Sequence, residues 1–542
     1  MRLAYIRAFL IGLFLVALTL AIYGQAIGYP FLVYDDSLLF RFEAIRHWSS
    51  IPGMFTTDIW ENASGQGSFY RPLAMAMSVV RYKIGGFDPR WWHGSAVLLQ
   101  CVAVLLFWRA AFRLTRSESI GLGAAMLYAV HPMLVESVAW ISGICELLLA
   151  IFFFAGLLCY LRWREKPTAA RIWLCAVFAL AGLFSKETAI VLPCLVALHL
   201  WMFPTTESNG MRDRIRLVVR SLWPVAAAVA IYAGMRVLAL RNVDSLVGNN
   251  PAYVVMTWPH LIWLSFAQMV WPVRMGLFHD VQLVTSLKSP QFLFPMLFVV
   301  VGAGVAYWAS RREKLLGFLA AWWILALSPA LAGVFGFTSQ GLFHDRFGNL
   351  SLAALAIALA WVLSCRSWGT FFEMPVTPLI AALVLSVPLA ILSGAQVRTW
   401  VSDMALFRQA VLVAPNDIRA RSMYANQLIK AGQVQMALDE FRETAEMAPN
   451  SWEANFAYGV TLAGTGDLNS GEQWLRRAVQ IDPTIAATYI ALAEVLRAEG
   501  QTPAAISVLQ QGLTRTQERE PLQEKLRELL STPMPVLPRQ TK

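Results

Sequence analysis

Charged residues are scarce in this sequence. Only 14% of the 542 residues are Asp, Glu, Lys or Arg, whereas 57% are hydrophobic and the mean hydropathy is +0.53. This composition excludes a soluble globular protein and indicates a polytopic membrane protein. The net charge is +10, but 15 basic and 16 acidic residues follow residue 395. The positive charge therefore belongs to the apolar part, and we expect no nucleic-acid partner.

Cysteine is also rare, with six residues and no CxxC pair. All six lie within or at the ends of apolar stretches, so we interpret them as small core residues rather than disulfides or metal ligands. The apolar run at residues 5–24 has two basic residues near its start, Arg2 and Arg7, but no A-x-A-like cleavage site comes after it. We therefore predict an uncleaved membrane anchor.

Apolar stretches long enough to cross a bilayer recur up to residue 395 and then stop. We predict eleven helical spans, near residues 5–24, 91–113, 119–139, 141–162, 170–185, 187–203, 217–240, 291–310, 315–335, 349–366 and 375–395. The most basic short loops between them share one side, which the positive-inside rule makes cytoplasmic. The chain after residue 395 is then predicted on the outer side.

One apolar segment, 258–278, does not fit this alternation. A full crossing there would place Arg311, Arg312 and Lys314 on the outer side. We therefore predict a re-entrant or interfacial segment. The alternative has twelve spans and a cytoplasmic tail.

Three prolines mark a repeat in the polar C-terminal part. Pro415, Pro449 and Pro483 are spaced 34 residues apart, within "VAPND", "MAPNS" and "IDPTI". This period is typical of tetratricopeptide repeats. We predict paired helices near 417–431 and 433–448, 451–465 and 467–481, and 485–499 and 501–515, a capping helix to about 530, and disorder over 532–542. Such a solenoid binds extended peptides in its groove, a packing cap or dimer contact being the alternative.

The predicted fold class is therefore all-α: a polytopic membrane helix bundle over 1–395, with a first outer loop at 25–90, and a tetratricopeptide-repeat α-solenoid over 396–531. Carboxylates gather at the predicted outer ends of the spans: Asp35, Asp36, Glu136, Glu146, Glu187, Asp280 and Asp345. A charge at membrane depth costs a few kcal/mol unless it is paired or faces water, roughly 3 kcal/mol at mid-membrane. We therefore expect these residues to surround one outward-facing cavity.

Several motifs in order carry a resemblance: "YDD", "FYRPL", "GFDPRWWHG", "HPMLVESVAWISGICELL", "FSKETAIVLP" and "HDRF", followed by the repeat array. This order resembles the transmembrane and tetratricopeptide-repeat O-mannosyltransferases and their bacterial relatives, which have the GT-C glycosyltransferase superfold. The resemblance implies transfer of one sugar from a polyprenyl-phosphate carrier to a hydroxyl group, most simply Ser or Thr of a polypeptide presented by the repeats. The short repeat array and departures from the family's motifs favour a bacterial inner membrane with a periplasmic catalytic face.

The resemblance also suggests roles for individual residues. Asp36 or Asp35 is the candidate catalytic base, because acidic pairs in the first loop hold that role in the relatives. Helix capping by Asp36 at Ser37 is the alternative. Arg346 is the first choice for the carrier phosphate and Lys186 the second, against ordinary anchoring to lipid headgroups.

The remaining candidates keep two interpretations each. His131 and Glu136 bind sugar hydroxyls or orient the base, or form a structural pair. Glu187 contributes to the substrate site or only neutralises Lys186. Arg71 shapes the first loop over the cavity or anchors that loop to lipid headgroups. Asp280 and Asp345 are the remaining candidates for substrate binding. No cofactor is certain beyond the lipid-linked sugar as co-substrate; a divalent metal is an alternative, although His131, His279, Glu136 and Asp280 lack close ligand spacing.

Two other functions stay open at this point. In one, the same fold transfers the sugar to a glycolipid or polysaccharide, and the repeats serve assembly. In the other, the chain is a membrane-anchored repeat scaffold or a transporter without catalytic activity.

Overall fold

The computed structural model describes residues 2–34, 42–57, 69–204, 210–240, 249–336, 341–364, 370–371 and 374–531. Its contacts divide the chain into two compact units. The membrane unit is Met1–Leu406 and the repeat unit is Phe407–Lys542. The boundary predicted from the sequence is residue 395.

The membrane unit is helical, with one short hairpin among its described residues. Its helices are α1 (Arg2–Tyr23), α2 (Ile51–Met54), α3 (Pro72–Gly85), α4 (Pro89–Thr115), α5 (Glu118–Ala129), α6 (Val135–Ala139), α7 (Ile144–Glu165), α8 (Ala169–Ser185), α9 (Val191–Met202), α10 (Met211–Ala239), α11 (Pro251–Val270), α12 (Pro290–Arg312), α13 (Lys314–Gly333), α14 (Asn349–Ser364) and α15 (Val376–Arg398). Short 3-10 helices connect them at Gly24–Gly28, Glu43–Arg46, Trp48–Ser50, Pro132–Leu134, Ile141–Gly143, Glu187–Ile190 and Asp345–Gly348. Strands β1 (Thr370–Phe371) and β2 (Met374–Pro375) pair antiparallel.

Eight described helices are long and apolar enough to cross a membrane. They are α1 with the turn after it, α4, α7, α10, α12, α13, α14 and α15. A ninth candidate is the bent pair of α5 with Pro132–Ala139, and two shorter apolar helices lie at Ala169–Ser185 and Glu187–Met202. These segments occupy the positions of the eleven predicted spans. The chain is a multi-pass membrane protein, and the exact number of crossings stays a prediction.

The segment 258–278 begins inside α11 and continues beyond its end at Val270 into a non-helical stretch of turns and bends. α11 is not among the helices that meet the spanning criteria. Apolar side chains are exposed on the outer surface of the helix bundle. In α12, Leu293, Leu297 and Val300 each expose more than half of their surface. Such a surface is stable in lipid and unfavourable in water.

The core of the membrane unit lies between α4, α5, α7 and α14. Phe107 of α4 packs against Tyr128 of α5 and Phe154 of α7, with ring centroids 4.6 and 5.0 Å apart. The Tyr128 hydroxyl is buried and donates to Oδ1 of Asn349 over 2.5 Å. Within the described residues five cysteines are free thiols, and Cys101, Cys145 and Cys175 are buried as small core residues.

The repeat unit contains the predicted helical pairs. α16 (Asp403–Val413) spans the unit boundary, and the pairs that follow are α17 (Ile418–Lys430) with α18 (Val434–Met447), α19 (Trp452–Gly464) with α20 (Leu468–Ile481), and α21 (Ala486–Ala498) with α22 (Thr502–Arg515), before α23 (Arg519–Ser531). This confirms the repeat prediction. α16, with Phe407 in it, is a helix that the sequence interpretation did not include.

Glycine closes the first helix of each pair. Gly432, Gly466 and Gly500 have φ of 74°, 97° and 80°, the left-handed region that glycine enters without steric cost. They are spaced 34 residues apart, so the repeat is visible in the turns as well as in the prolines.

Candidate functional site

The first part of the site is created by a helix break at His131–Pro132. Proline cannot continue α5, and the axis turns by 59° between Glu118–Ala129 and Pro132–Ala139. Nδ1 of His131 accepts a hydrogen bond from the Met133 N–H at 3.1 Å, so Nε2 carries the proton and donates to the Met269 carbonyl at 2.9 Å. His131 is buried with both ring nitrogens engaged. Its role in this structure is to hold the bend, not to present a free nitrogen.

A glycine then folds the chain back. A Cβ at Gly143 would lie 3.0 Å from the Ser137 carbonyl oxygen and 3.1 Å from that of Glu136, closer than side chains normally approach. The absence of a side chain therefore lets α7 start directly beside α6. As a result Glu146, in the first turn of α7, and Glu136 of α6 both lie within 4 Å of one arginine, Arg346. A carboxylate in the first turn also suits the helix dipole.

Four residues from these breaks form what we call the charged cluster: Glu136, Glu146, Lys186 and Arg346. Arg346 lies in the 3-10 helix before α14, and Lys186 lies at the break after α8. Arg346 donates to Glu136 from Nη1 and, over 3.1 Å, from its backbone N–H. Lys186 pairs with Oε1 of Glu146, and Nε of Arg346 is 3.9 Å from the same oxygen. Two cations therefore converge on one carboxylate oxygen.

Aromatic rings hold these cations in place. The Cζ atom of Arg346 lies 4.9 Å from the ring centroid of Trp140 and 5.4 Å from that of Phe347. Nζ of Lys186 lies 5.3 Å from the Phe347 centroid, so the ring is flanked by both cations. Each of these contacts is a cation–π attraction that strengthens in a dry site.

The charged cluster is electrically balanced but not saturated with hydrogen bonds. The side chains of Glu146 and Glu136 are 1% and 5% exposed, and that of Arg346 is 15% exposed. Within the described part of the chain, Nη2 of Arg346 and two of the three Lys186 N–H donors have no hydrogen-bond partner. A guanidinium offers five donors and an ammonium three. The cluster can therefore donate further hydrogen bonds to an anion.

Asp345, next to Arg346, anchors the non-helical stretch after α11. Its Oδ1 lies 2.8 Å from Nε2 of His279, and its Oδ2 accepts from the Gly276 N–H at 2.9 Å. Burial lowers the pKa of His279, but the charge and hydrogen bond of the Asp345 carboxylate outweigh it, and the pKa is raised above 6.5. Asp280 is exposed at the surface beside this contact.

Arg71 and Glu187 form a second, separate connection. Nε and Nη2 of Arg71 donate to the two oxygens of Glu187 over 3.0 and 2.6 Å, a bidentate pair. The interpretation that Glu187 only neutralises Lys186 is therefore wrong, because Lys186 pairs with Glu146. The backbone at Lys186 is extended, with φ −161° and ψ 137°, so successive side chains point to opposite sides. Arg71, just before α3, thus joins the first loop to the break that carries Lys186.

The candidate bases Asp35 and Asp36 lie outside the described residues. Tyr34, which precedes them in the sequence, accepts a hydrogen bond on its carbonyl from Nε1 of Trp140 at 3.3 Å. Its ring lies 5.6 Å from Trp140 and 6.0 Å from Phe278. The part of the first loop that ends at Tyr34 therefore lies beside Trp140, the ring that contacts Arg346. Among the described residues no group of three or more His, Cys, Asp or Glu side chains is placed to hold a metal ion.

Sequence reasoning placed Glu146 among the carboxylates of the cavity but gave it no role in the site, and it did not include Trp140 or Phe347. A signal was available for Glu146, because it is an acidic residue in the first turn of a strongly apolar helix and needs a partner there. For the two aromatic residues there was none, because a ring near a predicted span end is ordinary in a membrane protein.

Comparisons with known proteins agree with the sequence resemblance. No protein-family model matches the chain. Protein O-mannosyl-transferase Tmtc2 of Drosophila melanogaster is 31% identical over 339 residues, which are 56% of this chain and 34% of that protein. A protein O-mannosyl-transferase of Caenorhabditis elegans is 23% identical over 423 residues, 75% of this chain and 58% of its own length. The chain thus spans a third to just over half of the length of these two curated relatives.

Among solved structures, the oligosaccharyltransferase of Archaeoglobus fulgidus, tethered with an acceptor peptide, aligns with 72% of this chain and 55% of its own at 13% identity. The TM-score is 0.42, which is too low to establish a common fold. The sequence comparisons show that this chain is similar to protein O-mannosyl-transferases.

Proposed function

We propose that this chain is a membrane glycosyltransferase with the GT-C superfold that moves one sugar from a polyprenyl-phosphate carrier to a protein hydroxyl group. The main support for this proposal is that Arg346 and Lys186 converge on one oxygen of buried Glu146. Both cations keep N–H donors that could bind the phosphate of the carrier. Similarity to protein O-mannosyl-transferases supports the reaction class and a mannosyl donor. The proposed location is a bacterial inner membrane with the catalytic face in the periplasm.

In the proposed reaction the acceptor O–H proton passes to the Asp36 carboxylate, with Asp35 as its neighbour and orienting group. The acceptor oxygen forms a bond to the anomeric carbon as the bond from that carbon to the phosphate oxygen breaks. Negative charge grows on the departing polyprenyl phosphate. The spare donors of Arg346 and Lys186 stabilise that charge.

The other residues of the site position these groups. Glu136 fixes the Arg346 guanidinium, and Glu146 separates the two cations and balances their charge before the carrier binds. The Arg71–Glu187 pair holds the first loop at the start of α3, and Asp345 with His279 holds the stretch after α11. His131 maintains the bend that carries Glu136.

The experiment measures transfer of labelled mannose from polyprenyl-phosphate mannose to protein by purified full-length variants. Asp36→Asn should lower transfer by roughly 10²–10⁴-fold while carrier binding persists. Arg346→Ala should weaken carrier binding and lower transfer by about 10²-fold or more. Arg90→Ala is the matched control, because Arg90 is exposed on the same predicted side. Wild-type turnover in an Asp35→Asn, Asp36→Asn double variant would end the base assignment, and unchanged carrier affinity in Arg346→Ala would end the phosphate assignment.

The same assay separates a protein acceptor from a glycolipid or polysaccharide. A truncation that removes the repeats must keep α16, because Asp403 in that helix contacts the first loop. Oδ1 of Asp403 accepts a hydrogen bond from the Val33 N–H at 2.8 Å, and Val33 is close in sequence to the candidate bases. Deleting residues 417–542 should leave hydrolysis of the donor intact and stop modification of protein. If protein modification survives the deletion, the repeats do not present the acceptor, and the glycolipid alternative gains support.

A further inference from the structure

A cavity of about 430 Å³ lies at the end of the bundle that carries the basic loops. Its walls include Arg113, Arg116, Arg164, Phe203, Leu315 and Trp361. These residues come from the ends of helices on the side that the charge bias predicts to be cytoplasmic. Along α7, Arg164 is about 27 Å from Glu146 at 1.5 Å per residue. The cavity is therefore distinct from the charged cluster and lies near the opposite membrane surface.

The cavity has an excess of positive charge. Glu165 bridges Arg113 and Arg116, with N–O distances of 2.5 and 2.7 Å. Nη2 of Arg164 donates a hydrogen bond of 2.5 Å to the Phe203 carbonyl oxygen. Because a carbonyl group is neutral, this contact does not compensate the positive charge of Arg164. Glu313 also lines the cavity, and its carboxylate already accepts from the Leu315 N–H at 3.2 Å. Three guanidinium groups against two carboxylates leave one positive charge uncompensated.

One donor in this wall is unsatisfied. Nε of Arg113 is buried and has no hydrogen-bond partner among the described residues. Buried N–H groups nearly always have a partner, so an orphan calls for an explanation such as an ion or ligand that the protein binds. Arg113 is also fixed at Nη1 by Glu165, so its orientation is set before any ligand arrives.

The backbone at the cavity adds an independent observation. Arg116 has φ 57° and ψ 19°. Among the residues that the structure describes, no other non-glycine residue has a positive φ. It follows the last turn of α4, and its N–H donates to the Phe112 carbonyl at 2.8 Å. This is the position where glycine is preferred, because a Cβ is strained in the left-handed region. The chain keeps an arginine there despite that strain, which indicates a use for its side chain.

We propose that this cavity binds a phosphate group, presented by an anionic phospholipid or by a soluble phosphate compound. Guanidinium groups match phosphate oxygens in charge and geometry. The apolar walls formed by Phe203, Leu315 and Trp361 suit the glycerol and first acyl carbons of a phospholipid. Basic pockets between helices on the cytoplasmic side are a known form of lipid headgroup site.

The test uses the purified full-length chain and three variants: Arg116→Gly, Arg113→Gln and Arg216→Ala. Arg116→Gly removes the cation and relieves the backbone strain, so it should fold at least as well as the wild type. Arg216 is exposed on the same predicted side and does not line the cavity, which makes it the matched control. Native mass spectrometry counts phosphatidylglycerol retained from mixed phosphatidylcholine and phosphatidylglycerol vesicles, and a parallel titration follows the unfolding temperature with inorganic phosphate.

We expect about tenfold weaker retention of phosphatidylglycerol in Arg116→Gly and Arg113→Gln, and wild-type retention in Arg216→Ala. If inorganic phosphate instead stabilises the wild type and not these two variants, the site is confirmed with a soluble ligand. If all four proteins retain equal phosphatidylglycerol and respond equally to phosphate, the proposal is wrong.

Discussion

The two units of this chain use charge in opposite ways. In the membrane unit, the ion pairs of the charged cluster are buried and join residues far apart in the sequence, as Arg346 joins Glu136 and Lys186 joins Glu146. In the repeat unit, several pairs are exposed and local, such as Arg442 with Asp439 three residues earlier. Exposed pairs form at little cost and contribute little, whereas buried ones require full compensation.

This difference teaches where function is to be sought. A solvated repeat can place charges almost anywhere, so its salt bridges say little about its role. The membrane unit gathers two cations and two carboxylates behind aromatic rings at helix breaks, where isolated charges are most costly. A fold that only had to be stable would fill such positions with apolar side chains, so we interpret the charged cluster as the site of chemistry.

The largest effect is expected from breaking a buried pair. Glu146→Gln leaves Lys186 and Arg346 facing a neutral amide, and loss of one partner of a buried pair costs roughly 3–5 kcal/mol. Asp439→Asn in the repeat unit removes an exposed pair worth about 0–1 kcal/mol. The thermal unfolding midpoint of the purified chain should therefore fall sharply in the first variant and hardly in the second.

A double variant separates stability from chemistry. Glu146→Leu with Lys186→Met removes both charges of the pair, and apolar replacements of this kind are often neutral for stability. We expect the unfolding temperature to recover while sugar transfer stays lost. Recovery of both would mean that the Lys186–Glu146 pair is only structural, and a wild-type midpoint for Glu146→Gln would contradict the burial argument itself.

A smaller, steric effect should also differ between the units. Gly143→Ala places a methyl group near the carbonyl oxygens of Ser137 and Glu136, and Gly459→Ala places one 3.0 Å from Leu475 and 3.1 Å from the Gly471 carbonyl oxygen. Each should cost about 1–3 kcal/mol through overpacking. Only Gly143→Ala should lower sugar transfer, because it separates Glu136 from the start of α7.

The control for both is Gly234→Ala in α10, where nothing lies within 4 Å of the added carbon. It should be neutral or slightly stabilising, since alanine favours helix. Equal losses of sugar transfer in Gly143→Ala and Gly459→Ala would show that general stability, not the geometry at Glu136, limits activity.

Much of the fold was predictable because its signals are local. In the repeat unit, Pro415, Pro449 and Pro483 recur at the same place between helices, and this spacing predicts the helical pairs. In the membrane unit, the long apolar runs predict the long helices. α16 was missed because it precedes the first complete pair of the array.

The partners within the site were not predictable, for a physical reason. Lys186 and Glu187 are neighbours in the sequence, yet they point to Glu146 and Arg71 because the backbone between α8 and the next turn is extended. Which carboxylate meets which cation depends on how several helix breaks pack together, and no local pattern carries that information. The roles of Asp35 and Asp36 stay predictions.

The smallest effect is expected from pH, at the contact between His279 and Asp345. Their side chains are 6% and 4% exposed, and burial lowers the pKa of His279 less than the Asp345 carboxylate raises it, so the folded pKa exceeds the unfolded value near 6.5. The folded state thus binds the proton more tightly. The stabilising contribution is complete below about pH 6.5 and is lost as pH rises through the raised pKa.

His279→Gln removes this titration. The difference in unfolding midpoint between wild type and variant should therefore be largest in acid and shrink as the solution becomes alkaline. Gly234→Ala is the control, because it removes no ionisable group and its difference from the wild type should be flat with pH. A difference that grows with rising pH would mean that His279 is neutral in the folded protein and only donates a hydrogen bond to Asp345.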